Sequence, residues 1–106
     1  MGETGTVGTR PGASSEARYE LRNFLDEAGR LRAWPAKRRL QLIALEMFAS
    51  KFEDDLVYSE KEVSGLLNLH HTFEDPALLR RELVERRHLG RTRDGSQYWK
   101  QVRIEV

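Results

Sequence analysis

Seven cationic side chains are the residues of this sequence best suited to chemistry with another molecule. Arg91 and Arg93 come just before an Asp-Gly turn, and Lys100 follows it. An arginine-bearing hairpin can lie along a phosphate backbone or enter a minor groove. Arg81, in a helical stretch, can reach a guanine edge or a phosphate. With three more cations at the start of another helix, the candidate nucleic-acid-binding residues are Lys37, Arg38, Arg39, Arg81, Arg91, Arg93 and Lys100.

Charge is unevenly distributed along the chain, although its net charge is only +1. Residues 30–39 hold five cations and no acid, residues 53–75 hold seven acids and one lysine, and residues 80–103 hold eight cations and three acids. One interpretation is a basic surface that faces DNA. The alternative is that the acidic and basic segments pair with each other as weak surface ion pairs.

Four possible metal ligands lie within six residues, at His70, His71, Glu74 and Asp75. Adjacent histidines on one turn point apart, and the helical spacings of paired metal ligands are missing. Cys is absent, and the sequence has neither a glycine-rich phosphate loop nor a nucleophile motif. We therefore expect no metal, no cofactor, no catalytic residue and no enzymatic activity.

The 106 residues, 39% hydrophobic and 33% charged, suit one domain with a single core. Residues 1–17 are rich in Gly, Ser and Thr and predict a disordered N-terminal tail, which leaves residues 18–106 as the domain. No apolar run approaches the roughly 18–20 residues of a membrane span, and the N-terminus lacks the pattern of a signal peptide. We therefore expect a cytoplasmic protein with no membrane partner.

Two amphipathic helices are predicted in the first half of the domain. Apolar residues spaced at i, i+3, i+4 and i+7 predict a helix over residues 17–28, closed by Gly29. Residues 36–52, after Pro35, have the strongest helical pattern and are apolar on most sides. That pattern is typical of a central helix with neighbours packed around it.

In the second half of the domain the sequence predicts a short strand, two helices and a hairpin. Residues 56–58 predict the strand, a capping box begins a helix over 60–69, and an Asp-Pro pair begins another over 76–87. The Asp-Gly turn joins strands over 89–93 and 97–106. We expect one core cluster made of Leu25, Leu40, Ile43, Met47, Phe48, Leu66, Leu79 and Leu83.

This order of elements is the layout of a winged helix-turn-helix domain. The predicted fold class is mainly α (α+β), with about four helices and a C-terminal β-hairpin wing. Helix 60–69 is the supporting helix, helix 76–87 the recognition helix and residues 89–101 the wing. Because an isolated hairpin is hardly stable in water, the wing must pack on the helices, and Tyr98 or Trp99 is the expected anchor.

Three stretches of the sequence carry a family resemblance. They read WPAKRRLQLIALEMFASKF, YSEKEVSGLL and DPALLRRELVERRHLGRTRDGSQYWK, and they lie within roughly residues 19–100. In this order they resemble the prokaryotic family called domain of unknown function 2087, whose members occur alone or attached to helix-turn-helix transcriptional regulators. The resemblance implies a regulatory role linked to nucleic acid and no catalytic activity. Arg87 departs from the family pattern, in which glycine commonly closes the recognition helix.

Two functions of different classes are compatible with this sequence. The leading hypothesis is a module linked to transcription regulation that binds double-stranded DNA weakly, through its basic wing. The alternative is a non-catalytic module for a protein partner or a homodimer, which Glu82 and Glu85 favour because they repel phosphates beside Arg81. The apolar alternation of strand 97–106 predicts an edge that either packs on helix 17–28 or pairs with a second copy.

Overall fold

The computed structural model describes residues 15–101, which form four α-helices, one 3-10 turn and a three-stranded antiparallel sheet. The predicted fold class, mainly α with a small sheet and a winged-helix-like layout, is confirmed. None of the helices in this part of the chain has the length and apolar character needed to cross a bilayer. In chain order the elements are α1 (Ser15–Glu20), the 3-10 turn (Arg22–Phe24), α2 (Arg38–Ala49), β1 (Val57–Tyr58), α3 (Glu60–Asn68), α4 (Pro76–Glu85), β2 (Leu89–Arg91) and β3 (Tyr98–Lys100).

Helix α2 forms the centre of the core, as its apolar pattern predicts. It packs on α1 and on α4, and its buried residues are Ala44, Leu45, Met47, Phe48 and Ala49. The predicted core cluster is confirmed: Met47, Phe48, Leu79 and Leu83 are buried, and the remaining members pack against them half-buried. Further buried side chains lie outside the predicted cluster, among them Leu21, Leu31, Val63, Leu67 and Leu89.

The prediction of a continuous helix over residues 17–28 is wrong. Helix α1 begins at Ser15, inside the predicted tail, and ends at Glu20; residues 1–14 lie outside the described part of the chain. At residues 26–30 a turn replaces the helix, because the Asp26 carboxylate accepts hydrogen bonds from the backbone N–H groups of Ala28 (2.9 Å) and Arg30 (2.8 Å). A short acidic side chain that bonds nearby backbone in this way competes with the helix.

Gly29 closes a turn rather than a helix. Its φ of +84° is the left-handed conformation that glycine adopts without a Cβ penalty. The turn brings Leu25 and Leu31 into an antiparallel bridge, and Leu31 in turn pairs in parallel with His71. The segment after α1 is therefore tied by backbone hydrogen bonds to the turn between α3 and α4.

Both helices of the helix-turn-helix pair begin as the sequence predicts. The Ser59 hydroxyl accepts from the Glu62 N–H (3.0 Å), the Glu62 carboxylate accepts from the Ser59 N–H (2.9 Å), and Asp75 caps α4 by accepting from the Leu78 N–H (3.1 Å). Helix α4 ends at Glu85, and Arg87, which follows the C-cap residue, has a φ of +67°. The arginine thus adopts the conformation for which glycine is preferred after a helix end.

The sheet has the order β1-β3-β2, so β1 and β2 are its edges. Tyr98 is buried and anchors the wing to the core, whereas Trp99 is half-exposed on the other face. Trp99 pairs with Val57 on β1 and with Gly90 on β2. Strand β3 ends at Lys100 and pairs on both sides, so these residues are not the edge that the sequence predicts; the predicted continuation over residues 102–106 lies outside the described residues.

Candidate nucleic-acid interface

Helix α4 presents an exposed row of three side chains, Ala77, Arg81 and Glu85, each one turn from the next. The row lies opposite the buried pair Leu79 and Leu83, as a period of 100° per residue requires. The same period places Leu78 and Glu82 at the margins of this face, and both are half-buried. The sequence prediction did not include Ala77, which the same periodicity identifies when applied one turn earlier. Arg81 makes no ion pair with any other residue of the described chain, 15–101.

The tip of the wing is built from hydrogen bonds around Asp94. Its carboxylate accepts from the Thr92 hydroxyl (2.8 Å) and from the Ser96 N–H (3.0 Å) and hydroxyl (2.8 Å). These bonds, from Thr92 first and then Ser96, lower the pKa of Asp94 below its ordinary value because they favour the ionised form. Gly95 completes the turn at a φ of +74°. The carboxylate of Asp94 therefore accepts hydrogen bonds from residues of the tip itself.

The two arginines of the wing have different roles in the structure. Arg91 folds back on the tip, where its Nε donates to the Thr92 carbonyl (3.1 Å) and its Nη2 to the Arg93 carbonyl (2.9 Å). Arg93 is exposed and has no side-chain partner within residues 15–101. Of this pair, Arg91 braces the backbone, and Arg93 is the cation available to an incoming anion.

Lys100 belongs to the sheet rather than to the tip. Its Nζ donates to the Phe52 carbonyl (3.3 Å) and lies 3.7 Å from the Asp54 carboxylate. A second ion pair joins Arg80 on α4 to Glu60 on α3 (3.1 Å), and Arg80 also donates to the Ser64 hydroxyl (2.8 Å). The alternative interpretation of the uneven charge is therefore correct for these two cations, which pair with the acidic segment.

Of the three cations at the start of α2, two have side-chain partners. Arg39 forms an ion pair with Glu20 on α1 (2.9 Å), and this hydrogen bond lowers the pKa of Glu20. Arg38 donates to the amide oxygen of Gln41 (2.9 Å). Lys37 is exposed at the N-cap of α2. The structure thus connects Arg39 to the N-terminal helix, and it leaves Lys37 as the exposed member without a side-chain partner in the described chain.

His71 is a structural residue of the turn between α3 and α4. The ring is buried, its Nδ1 lies 2.8 Å from the Leu67 carbonyl, and its Nε2 accepts from the Asp75 N–H (3.0 Å). These partners require the neutral ring with the proton on Nδ1. Burial, and then the charge of Lys51, lower the pKa of the neighbouring His70. Within residues 15–101, no three His, Asp or Glu side chains are grouped closely enough to hold a metal ion.

Comparison with known proteins identifies one family. Neither a curated protein nor a solved structure matches the chain. The model of the family described as "Uncharacterized protein conserved in bacteria (DUF2087)" matches residues 30–100. The match includes α2, the helix-turn-helix pair and the wing, and it begins after α1. Because the match covers more than half of the sequence, this chain belongs to the DUF2087 family.

Proposed function

We propose that this chain is a non-catalytic DNA-binding module linked to transcription regulation, which acts in the cytoplasm and binds duplex DNA weakly. The observation that carries the proposal is a pair of exposed arginines whose guanidinium groups have no partner in the described chain, Arg81 on α4 and Arg93 at the wing tip. These are the two elements with which a winged helix-turn-helix domain meets a duplex. Helix α4 packs directly on β2, so the two elements are neighbours.

Weak binding is expected because four of the seven candidate cations are already engaged. Arg39 and Lys100 have carboxylate partners, Arg38 donates to Gln41, and Arg91 is bonded to the backbone of its own turn. Each phosphate that a protein neutralises contributes about −0.9 to the slope of log affinity against log salt concentration. Of the seven candidates, Lys37, Arg81 and Arg93 have no side-chain partner within residues 15–101, so we expect a shallow slope and an affinity that is lost at moderate salt.

Fluorescence anisotropy with a random-sequence duplex, measured over a salt series, tests the proposal. The wild type is expected to bind at low salt, and Arg93→Ala is expected to reduce the magnitude of the slope by roughly 0.9. Arg18→Ala is the matched control, because Arg18 is an exposed arginine on α1, an element that packs on α2. No salt-dependent binding by the wild type, even at low ionic strength, refutes the proposal.

A second candidate function, self-association, is favoured by the edge of the sheet. Strand β1 is an edge strand, and Leu56 and Val57 are 47% and 59% exposed there. Exposed apolar edges are sites at which another chain can pair. Light scattering with the wild type and Val57→Lys tests it: a dimer that the lysine converts to a monomer supports self-association, and a monomeric wild type excludes it.

A further inference from the structure

The exposed row of α4 has the dimensions of a major-groove contact. Ala77 and Glu85 are eight residues apart, which corresponds to about 12 Å along a helix with a rise of 1.5 Å per residue. The major groove is roughly 12 Å wide, which matches the diameter of about 10–12 Å of an α-helix with its side chains, so the row can lie along the groove floor. Arg81, at the middle of the row, is exposed and carries the longest side chain of the three.

The two charges of this row are available to a partner. Arg81 and Glu85 are one turn apart, the spacing of a helical ion pair, yet they form none within 4 Å. The adjacent Arg80 is turned towards α3, where Glu60 and Ser64 hold it. Helix α4 therefore separates a structural arginine from a solvent-facing one.

The carboxylate of Glu85 favours base edges over phosphates as the target of this row. A carboxylate repels phosphate, but it can accept a hydrogen bond from the amino group of cytosine, just as arginine can donate two bonds to guanine. A protein partner fits the row less well. The centre of a protein interface is depleted of charge and rich in large apolar side chains, whereas two of the three members of this row are charged and its large apolar neighbours are half-buried Leu78 and, beside Glu85, Leu42.

We infer that α4 is a sequence-reading helix for G·C-containing duplex DNA, in which Arg81 contacts guanine and Glu85 accepts from a cytosine amino group. The wing, through Arg93, holds a phosphate and supplies affinity without sequence preference. This inference rests on the proposed function and assigns specificity to one element of the interface and general affinity to the other.

The test is selection of preferred sequences from a library of randomised duplexes, followed by anisotropy with the selected and a random duplex. The wild type is expected to enrich a guanine-containing site. Arg81→Gln should lose the preference at one base pair and bind the selected duplex about 10- to 100-fold more weakly. Glu85→Gln should lose a neighbouring preference and bind random DNA more tightly, because a charge that repels phosphates is removed. Arg18→Gln on α1 is the control and should select the wild-type site.

The outcomes separate this inference from the proposed function. Salt-dependent binding of random DNA without any enriched site, or an enriched site that Arg81→Gln leaves unchanged, overturns the inference while the proposed function stands. No binding to any duplex overturns both. A wild-type dimer that Arg81→Gln dissociates, detected by light scattering, identifies the row as a contact between two copies and also overturns the inference. All substitutions are at exposed positions, and circular dichroism checks that the fold is kept.

Discussion

Helix α4 and the tip of the wing each present one exposed arginine, but different forces hold the two arginines in place. Helix α4 is fixed by Leu79 and Leu83, which are completely buried in the core. The tip, residues 92–97, is fixed by short hydrogen bonds around the Asp94 carboxylate and the Arg91 guanidinium. The helix therefore depends on the stability of the whole domain. The tip is a local structure that can change while the domain stays folded.

Truncation of the buried leucines of α4 should cause the largest loss of unfolding free energy, and it should show most clearly that α4, unlike the tip, belongs to the core. Leu83→Ala removes part of a buried side chain, and such changes cost about 2–5 kcal/mol of unfolding free energy. Ile43→Ala is the matched comparison and should cost less, because Ile43 is half-buried. Urea unfolding measures both. An unchanged denaturation midpoint for Leu83→Ala contradicts the role given to α4 in the core.

A substitution at Gly90 tests whether the base of the wing is packed as tightly as the core. A Cβ at this position would overlap the indole ring of Trp99, which lies across the sheet from it. Overpacking of this kind costs typically about 1–3 kcal/mol. We expect Gly90→Ala to lower the denaturation midpoint, and the double variant Gly90→Ala with Trp99→Val to recover part of the loss. A Gly90→Ala protein as stable as the wild type would show that Trp99 moves away freely.

The end of α4 should become more stable with a single substitution. Arg87 has a φ of +67°, a conformation that costs residues other than glycine on the order of 1 kcal/mol. Its N–H donates to the Val84 carbonyl (3.0 Å) and the next N–H, of His88, donates to the Leu83 carbonyl (2.9 Å), so the backbone here is well defined. Arg87→Gly is expected to raise the unfolding free energy by about 0.5–1 kcal/mol. A loss of stability in thermal unfolding would contradict this.

The wing tip should give the smallest effect, visible in its pH dependence. The bonds from Thr92 and Ser96 hold the pKa of Asp94 below its ordinary value of about 4. A depressed carboxyl pKa contributes stability above the ordinary value, and this contribution is lost as the pH falls through the lowered pKa. Asp94→Asn should therefore be slightly less stable than the wild type at pH 6, with the difference closing in acid. Equal acid sensitivity of the two proteins contradicts the assignment.

An element of the fold could be predicted from the sequence when the interactions that determine it join residues close together in the chain. The caps at Ser59 and Asp75 are encoded within three residues of each helix start, and both were predicted. The helix over 17–28 was not, because its apolar spacing is real but Asp26 and Gly29 close a turn in competition with it. Three of its four apolar side chains, Leu21, Phe24 and Leu25, still pack on the core, whereas Ala28 is exposed.

The sequence names the cations of the candidate interface, but it does not show which of them are free of partners in the fold. Charge and position in sequence identified the arginines and lysines, but whether each one is free depends on partners distant in sequence. Lys100 and Asp54 are brought together only by the pairing of β1 with β3, and Arg39 meets Glu20 only because α1 packs on α2. No sequence pattern contains that information. Arg91 differs, since its partners are its immediate neighbours in the tight turn.

The most direct test of the division between α4 and the wing is an amide-resolved NMR titration of the labelled protein with a short duplex. We predict that the amide shifts concentrate at residues 92–97 and along Ala77, Arg81 and Glu85, and that they weaken as salt is added. Shifts confined to the exposed edge at Leu56 and Val57, or a spectrum that the duplex leaves unchanged at low salt, would contradict the account.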